Sequence, residues 1–305
     1  MSTPFQPNTE GVFYDVPAEV YHKAPGVSQS TLKAFDDAGS PKHFKTMPRK
    51  PSSPDMQFGT LVHAAVLEPK TFDSLFYVRP DTYGPEKKPW HNGAAACKTW
   101  NDQHEDRSII LDSATYARIV ACATAAKERA GLFSKALNSK NARREVSFFK
   151  RDAETGLLLK ARADLLAVTA GDEKIIFDLK KVETGCGNEK EFQKQVLEYG
   201  YYIQAAAYLE ITGAAEMYFV PFDDDAPFDC NIWSLHPEWL QLGRLEYRRM
   251  LRAYAQCVKT DTWPGYPQDG RELPLRDWLR KRITELNAAE TMEFLKSLPV
   301  KEAAA

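Results

Sequence analysis

The run IIFDLKK sets a carboxylate, Asp178, two positions from an amine, Lys180. In an extended strand such positions share a face, so Asp178 and Lys180 project together while Phe177 and Leu179 go to the other side. In the run LLLKARADLLA upstream, the same rule puts Lys160, Arg162 and Asp164 on one face, opposite Leu159, Ala161 and Ala163. The two runs are separated by the turn sequence TAGDE, and pairing across it would bring Asp164 and Asp178 together near one end of a hairpin. Two aspartates at a sheet edge suit a hard cation such as Mg2+, which favours carboxylate and carbonyl oxygens and retains several waters. Such an ion would lower the pKa of bound water and neutralise charge on a phosphate, with Lys180 orienting the attacking water or helping to deprotonate it. A D-x-K tripeptide by itself is common, so its surroundings must carry the argument.

Those surroundings change period along the chain. Residues 1–20 are polar and Pro-containing and read as a loosely held lead-in. A short helix is expected from about Ser30 to Asp37, capped by Ser28 or Ser30 and ended by Gly39-Ser-Pro, and a compact helix over MQFGTLVHAAVLEP, stopped near Pro69. The first half of 79–107, rich in Pro, Gly and Lys, reads as an exposed loop. A long helix over about Ser113 to Leu137 follows, with Asp112 or Ser113 as cap. The stretch from Arg144 to Lys181 then holds three apolar runs separated by RDAETG and TAGDE, the pattern of two successive antiparallel hairpins. Phe192, Val196, Tyr199, Ile203 and Ala206 mark one stripe of a helix over about Glu189 to Ile211. AEMYFVPF and FDCNIWSL read as further strands, and PEWLQLGRLEYRRMLRAYAQCV as an amphipathic helix. This order predicts an α/β fold in which a small mixed sheet is flanked by helices.

Composition removes several classes. Hydrophobic residues at 43% and charged residues at 27% are those of an ordinary globular chain. No apolar run reaches the length of a membrane span and the amino-terminal stretch has no signal-peptide pattern, so a cytoplasmic location without membrane attachment is expected. The five cysteines are scattered without a CxxC pair, which argues against a disulfide framework or an iron–sulfur cluster. No P-loop and no G-x-S-x-G is present. A net charge of -2 offers no global pull toward nucleic acid, so any such binding must use a local surface. Arg143, Arg144, Lys150, Arg151, Lys160 and Arg162, with Lys87, Lys88 and Lys98, are the candidates for one, although each alone reads as a solvated charge. Trp90, Trp100 and Trp263 read either as a wedge against a DNA end or as anchors of their loops.

Four motifs in order resemble the PD-(D/E)XK nucleases, and within them the RecB-like and exonuclease VIII (RecE-type) group often encoded by phages. GTLVHAAVLEP is similar to the family's G-x-x-x-H helix, with Gly59 and His63. ARADLL resembles the motif of the first metal-binding Asp, here Asp164, and FDLKK the D-x-K, here Asp178 and Lys180. YYIQAAAY resembles the closing Q-x-x-x-Y, here Gln204 and Tyr208. The segment from Tyr21 to Phe44 is similar to the opening of the exonuclease VIII-like group, so the likeness runs from about Tyr21 to Pro264, with a C-terminal helical tail over 265–305.

The resemblance implies a restriction-endonuclease-like core in which His63, Asp164 and Asp178 bind Mg2+, with Mn2+ able to substitute and the Asp178 backbone as a further donor. Lys180 would serve the nucleophile. Glu145, in REVSFF, is either the family's acidic position on its first strand or a surface glutamate. Gln204 and Tyr208 lie one helical turn apart, and would steady the Lys180 region, contact a phosphate or base, or flank a packed helix. His63 has the alternative of a hydrogen-bonded core histidine. The family further implies 5'-to-3' degradation of linear double-stranded DNA from its ends in a ring-like trimer or tetramer, with strands passed to a single-strand annealing protein for recombination. The alternatives are a DNA-binding or assembly protein that kept the fold without catalysis, and a structure-specific endonuclease of the same fold.

Overall fold

Alternating apolar residues between Arg143 and Val182 build the central strands of a six-stranded mixed sheet. The computed structural model describes residues 5–48, 53–106 and 109–276, with Arg280, Met292, Lys296 and Ser297. In chain order the elements begin with β1 (Gly11–Phe13), α1 (Ala18–Lys23), α2 (Gln29–Asp37), α3 (Pro41–Thr46) and α4 (Pro54–Leu67). Next come β2 (Tyr77–Val78), β3 (Thr82–Tyr83), β4 (Lys88–Pro89), α5 (Ala95–Asp102), β5 (Ile110–Leu111), α6 (Ser113–Arg129) and α7 (Gly131–Leu137). The site-bearing half holds β6 (Arg143–Arg151), β7 (Leu158–Val168), β8 (Lys174–Val182), α8 (Glu189–Tyr199), α9 (Tyr201–Thr212), β9 (Glu216–Asp223), β10 (Trp233–Ser234) and α10 (Pro237–Thr260).

The sheet runs β1-β6-β7-β8-β9-β10. Every neighbouring pair is antiparallel except β8 and β9, which are parallel and joined over one face by α8 and α9. A parallel pair needs such a crossover, because a tight turn cannot return the chain in the same direction. On one face Leu165, Phe177, Leu179, Val220 and Phe222 pack against α4, α6 and α7 through Leu61, Val62, Ile119 and Phe133. On the other face Val146, Ala161, Ala163, Ile176 and Phe219 meet Leu32, Phe192, Ala205, Tyr247 and Leu251 from α2, α8, α9 and α10. Each fully buried Leu or Phe contributes roughly 1.5–3 kcal/mol, so these two cores hold the sheet rigid under whatever its polar residues do. Among the described residues no helix is long and apolar enough to cross a membrane.

Several expectations are corrected. The lead-in is not loose: β1 pairs along β6 with Phe13 opposite Ser147, and Phe13 and Val16 are buried. The loop expected from 79 holds the β3–β4 hairpin and is followed by α5, while β2 and β5 pair across its base. The helix expected to Leu137 breaks at Ala130 and Gly131, and the helix expected over Glu189 to Ile211 breaks at Gly200, whose φ of 70° ends α8 and starts α9. Tyr199, placed in the buried stripe, is half exposed in consequence. Of FDCNIWSL only Trp233–Ser234 is a strand, beside an isolated bridge from Cys230 to Phe222. The chain divides into two compact units, Met1–Pro264 and Gly265–Ala305. Residues 265–276 carry no helix, and most of the expected helical tail lies outside the described residues.

Candidate active site

Pairing between β7 and β8 runs from Val168 opposite Lys174 to Leu165 opposite Phe177, and there it stops. The next two residues in register are Asp164 and Asp178. The strands part at this point, and the Asp164 carboxylate enters the gap: its Oδ2 accepts the backbone N–H of Leu179 at 2.8 Å. Strand alternation inverts here as well. Ala163 and Leu166 pack with the α9 face and Leu165 with the α4 face, so Asp164 sits where regular pleating fails. Across the same step Glu145 on β6 takes a φ of 53° and drops out of the ladder between Arg144 and Val146. Left-handed backbone is uncommon for a residue with a Cβ and costs about 1 kcal/mol. In return the Glu145 side chain is turned onto Arg162, with which it forms an ion pair.

From β8, Asp178 and Lys180 point together toward α9, as the alternation requires. Lys180 Nζ lies 2.5 Å from Asp178 Oδ2 and donates to Gln204 Oε1 at 3.0 Å, while Gln204 Nε2 donates to Asp178 Oδ1 at 2.6 Å. One amide therefore holds both charged groups. Apart from the Lys180 ammonium, the buried Asp178 Oδ2 meets no well-directed donor. From the opposite face His63 on α4 places Nε2 3.0 Å from the Leu179 carbonyl and Nδ1 3.3 Å from Asp164 Oδ2. Gly59, one turn earlier, is where β8 comes close: a Cβ there would stand 3.7 Å from that of Lys181.

The charges at this point are tightly interdependent. Burial first, then the Asp178 and Glu145 carboxylates, raise the Asp164 carboxyl well above the ordinary carboxylate range. Burial lowers His63 against the pull of Asp178 and Glu145, so its ring is neutral near pH 7. Burial also pulls Lys180 down, but the Asp178 carboxylate beside it outweighs this and the net direction is up. Lys180 is thus an ammonium in this state and is placed to orient rather than to abstract a proton. Tyr208 is raised by burial, then by Tyr21 and the two aspartates.

Of the residues singled out in the sequence, His63, Asp164, Asp178, Lys180 and Gln204 meet at one point, with Glu145 and Tyr208 behind them. Lys160 and Arg162 do not present a surface to DNA. Lys160 is buried and its Nζ donates to the carbonyls of Tyr21, His22 and Ala24, while Arg162 is held by Glu145 and the Val16 carbonyl. Val16, from the segment read as a lead-in, receives Arg162 and the residues just after that segment receive Lys160, and Arg162 meets the site through Glu145. Arg144, Lys150 and Arg151 reach the carbonyls of Leu137, Glu210 and Gly156. Trp263 is an anchor, packed among Phe35, Phe44 and Tyr254, and Trp90 and Trp100 stand edge to face. Sequence reasoning missed two groups: the Leu179 backbone, which serves Asp164 and His63, and Tyr201, whose ring lies 4.7 Å from Lys180 Nζ.

Two carboxylates that repel one another, the backbone carbonyl of the residue next to Asp178 and an under-bonded oxygen are the donor set a hard divalent cation asks for. Among the described residues no three His, Cys, Asp or Glu side chains form a ready cage. Asp164, Asp178 and the Leu179 carbonyl, with His63 beside them, are the donors that fit such an ion, completed by water and substrate as Mg2+ accepts. His63, expected as a ligand, lies against the same atoms, with Nε2 at the Leu179 carbonyl and Nδ1 at Asp164 Oδ2.

The profile of a family described as a PDDEXK-like domain of unknown function matches residues 28–270. No curated protein matches. Among solved structures, a provisionally named exonuclease from Eubacterium rectale is similar with 16% identity and a TM-score of 0.50, covering 84% of this chain and 96% of that one. The alkaline exonuclease of Laribacter hongkongensis, solved in complex with dAMP, aligns with 12% identity over 77% of this chain and 92% of its own, at a TM-score of 0.35.

Proposed function

Because the chain belongs to the PDDEXK-like domain family, we propose that it is a divalent-metal-dependent deoxyribonuclease that hydrolyses phosphodiester bonds of linear double-stranded DNA. The observation that carries this reading is the meeting of Asp164, Asp178 and Lys180 where β7 and β8 part. Asp164, Asp178 and the Leu179 carbonyl would hold Mg2+ or Mn2+, which supplies Lewis acidity and charge neutralisation at the phosphate. Lys180 orients the incoming water and balances developing negative charge as an ammonium. Gln204 keeps Lys180 and Asp178 in register, and the neutral His63 ring, with one N–H to give, would donate to the Leu179 carbonyl while its other nitrogen stays available to the metal beside Asp164. Glu145 and Arg162 neutralise one another beside the site, so their pair sets local charge without spending a cation on DNA.

The same proposal includes 5'-to-3' action from an end, a ring-like homo-oligomer and delivery of single strands to an annealing protein. Incubating the protein and Mg2+ with 5'- or 3'-labelled linear duplex and with closed circles tests it, beside the variant Asp178→Ala. Linear DNA should be shortened from its 5' ends, circles should survive, and Asp178→Ala should be slower by about 10²–10³-fold. Wild-type protein that digests nothing with either metal would overturn the enzyme reading. Circles cut as fast as linear DNA would replace the exonuclease with an endonuclease.

A further inference from the structure

An ammonium on a four-carbon stem does not hold one position unaided, since the Lys side chain keeps about 2 kcal/mol of rotamer freedom. Lys180 has three N–H directions to satisfy. Gln204 Oε1 accepts one at 3.0 Å, and Asp178 Oδ2 stands 2.5 Å from the nitrogen as its ion-pair partner. The third side of the ammonium faces the ring of Tyr201, whose centroid is 4.7 Å away, within the range of a favourable cation–π contact. The Phe219 ring lies further off, at 5.7 Å.

Tyr201 is placed for this by the chain break that sequence periodicity did not show. Gly200, at φ 70°, ends α8 and lets α9 start in a new direction with Tyr201 as its first residue. The ring is then locked by other rings: Phe219 stacks on it at 5.4 Å and 25°, Phe192 is tilted at 5.9 Å and Tyr199 at 5.6 Å. A rigid ring face thus closes the side of Lys180 that neither Asp178 nor Gln204 reaches. Without it the ammonium would keep Asp178 and Gln204 but lose the contact that limits its remaining freedom.

We propose that Tyr201 is a positioning residue of the active site, the face of its ring fixing the Lys180 ammonium in the direction from which it meets water and phosphate. This rests on the deoxyribonuclease reading for what Lys180 does, but the placement itself does not. The ring face, not the hydroxyl, is the working part, so Tyr201→Phe should keep it and Tyr201→Leu should lose it.

Two measurements on the full-length chain separate the possibilities. The first is kcat and KM on linear duplex with Mg2+. The second, on metal-free protein, is the NMR shift of the Lys180 side-chain methylene next to the ammonium, assigned by its loss in Lys180→Arg and moved upfield by an overlying ring. Tyr201→Leu should lower kcat by about tenfold with KM within about twofold, and should abolish the upfield shift. Tyr201→Phe should rescue both. The proposal is overturned if Tyr201→Leu leaves the Lys180 signal in place, if it raises KM while sparing kcat, or if Tyr201→Phe is as impaired as Tyr201→Leu. Should Tyr201→Leu fail to fold by circular dichroism, Tyr201→Met gives the same ring-free comparison. If wild-type protein cuts no DNA, the deoxyribonuclease reading falls, and the NMR arm still decides whether the ring holds the ammonium.

Discussion

Asp164 accepts the backbone N–H of Leu179 at 2.8 Å, a side chain taking the place of the strand that has turned away. The bond needs only an oxygen, whereas the neighbouring Asp178 makes the charge on that oxygen unfavourable. Asp164→Asn keeps an acceptor for Leu179 and removes the charge. The metal-free variant should therefore melt at or above the wild-type temperature, since the repulsion with Asp178 is gone. Saturating Mg2+ or Mn2+ should raise the melting temperature of wild-type protein and leave that of Asp164→Asn unmoved. Thermal scans with and without metal check this, and a wild-type protein indifferent to both ions would contradict the two-carboxylate set.

The raised Asp164 carboxyl fixes the sign of a pH effect. Burial, then Asp178 and Glu145, lift it, so the metal-free fold keeps this proton where the unfolded chain has lost it. Its contribution to stability is complete below the unfolded value, about 3.9, and is lost as pH rises through the raised one. His63, lowered by burial, works oppositely, its contribution being lost as pH falls below about 6.5. The difference in denaturation free energy between wild type and Asp164→Asn should therefore grow in favour of the variant as pH rises above about 4. Metal binding needs the carboxylate, so it should release protons. Titration calorimetry in two buffers of different ionisation enthalpy reads this directly, and equal heats would refute it.

What could be read from the sequence was local. Asp178 and Lys180 share a face because period two is a property of the strand alone, and the hairpin that brings Asp164 near them is written in TAGDE. The fate of Lys160 and Arg162 was not legible, because the carbonyls of Val16, Tyr21 and Ala24 that receive them are more than a hundred residues away in sequence. The break at Gly200 was hidden for another reason. Val196 and Ile203 are both core residues of the same face, so apolar spacing continues across a change of helix direction. Glu145 was ambiguous because only its left-handed backbone decides which way its side chain turns.

Gly243 on α10 marks the closest approach of two helices on the site's side of the sheet. A Cβ there would lie 2.1 Å from the Tyr202 carbonyl oxygen and 3.1 Å from the Ala206 Cβ, so α9 and α10 would have to separate. Gly243→Ala should destabilise the fold by about 1–3 kcal/mol despite the better helix propensity of alanine. Because α9 also carries Gln204, kcat should fall with stability rather than independently of it. Urea unfolding measures the first effect, and a variant as stable as wild type would mean that the helices are not in contact there.

Gln204 gives the sharpest test of how the site is held. Its Nε2 donates to Asp178 Oδ1 at 2.6 Å and its Oε1 accepts from Lys180 Nζ at 3.0 Å, the one amide orientation in which a carboxylate meets a donor and an ammonium an acceptor. Gln204→Met fills nearly the same space and makes neither bond. Lys180 would remain paired with Asp178 but lose its register against α9, so kcat should drop about 10–100-fold while KM for linear duplex stays within about twofold. Gln204→Glu is worse placed: it can still accept from Lys180, but it turns an oxygen toward Asp178 and adds a carboxylate to an already crowded site. Its kcat should fall at least as far, and its metal-free fold should be less stable than that of Gln204→Met by about 1–3 kcal/mol of unpaired or repelling charge, seen as a lower melting temperature. Steady-state kinetics with melting curves separate the two variants. Gln204→Met cleaving at the wild-type rate would show that Asp178 and Lys180 keep their geometry without the amide between them.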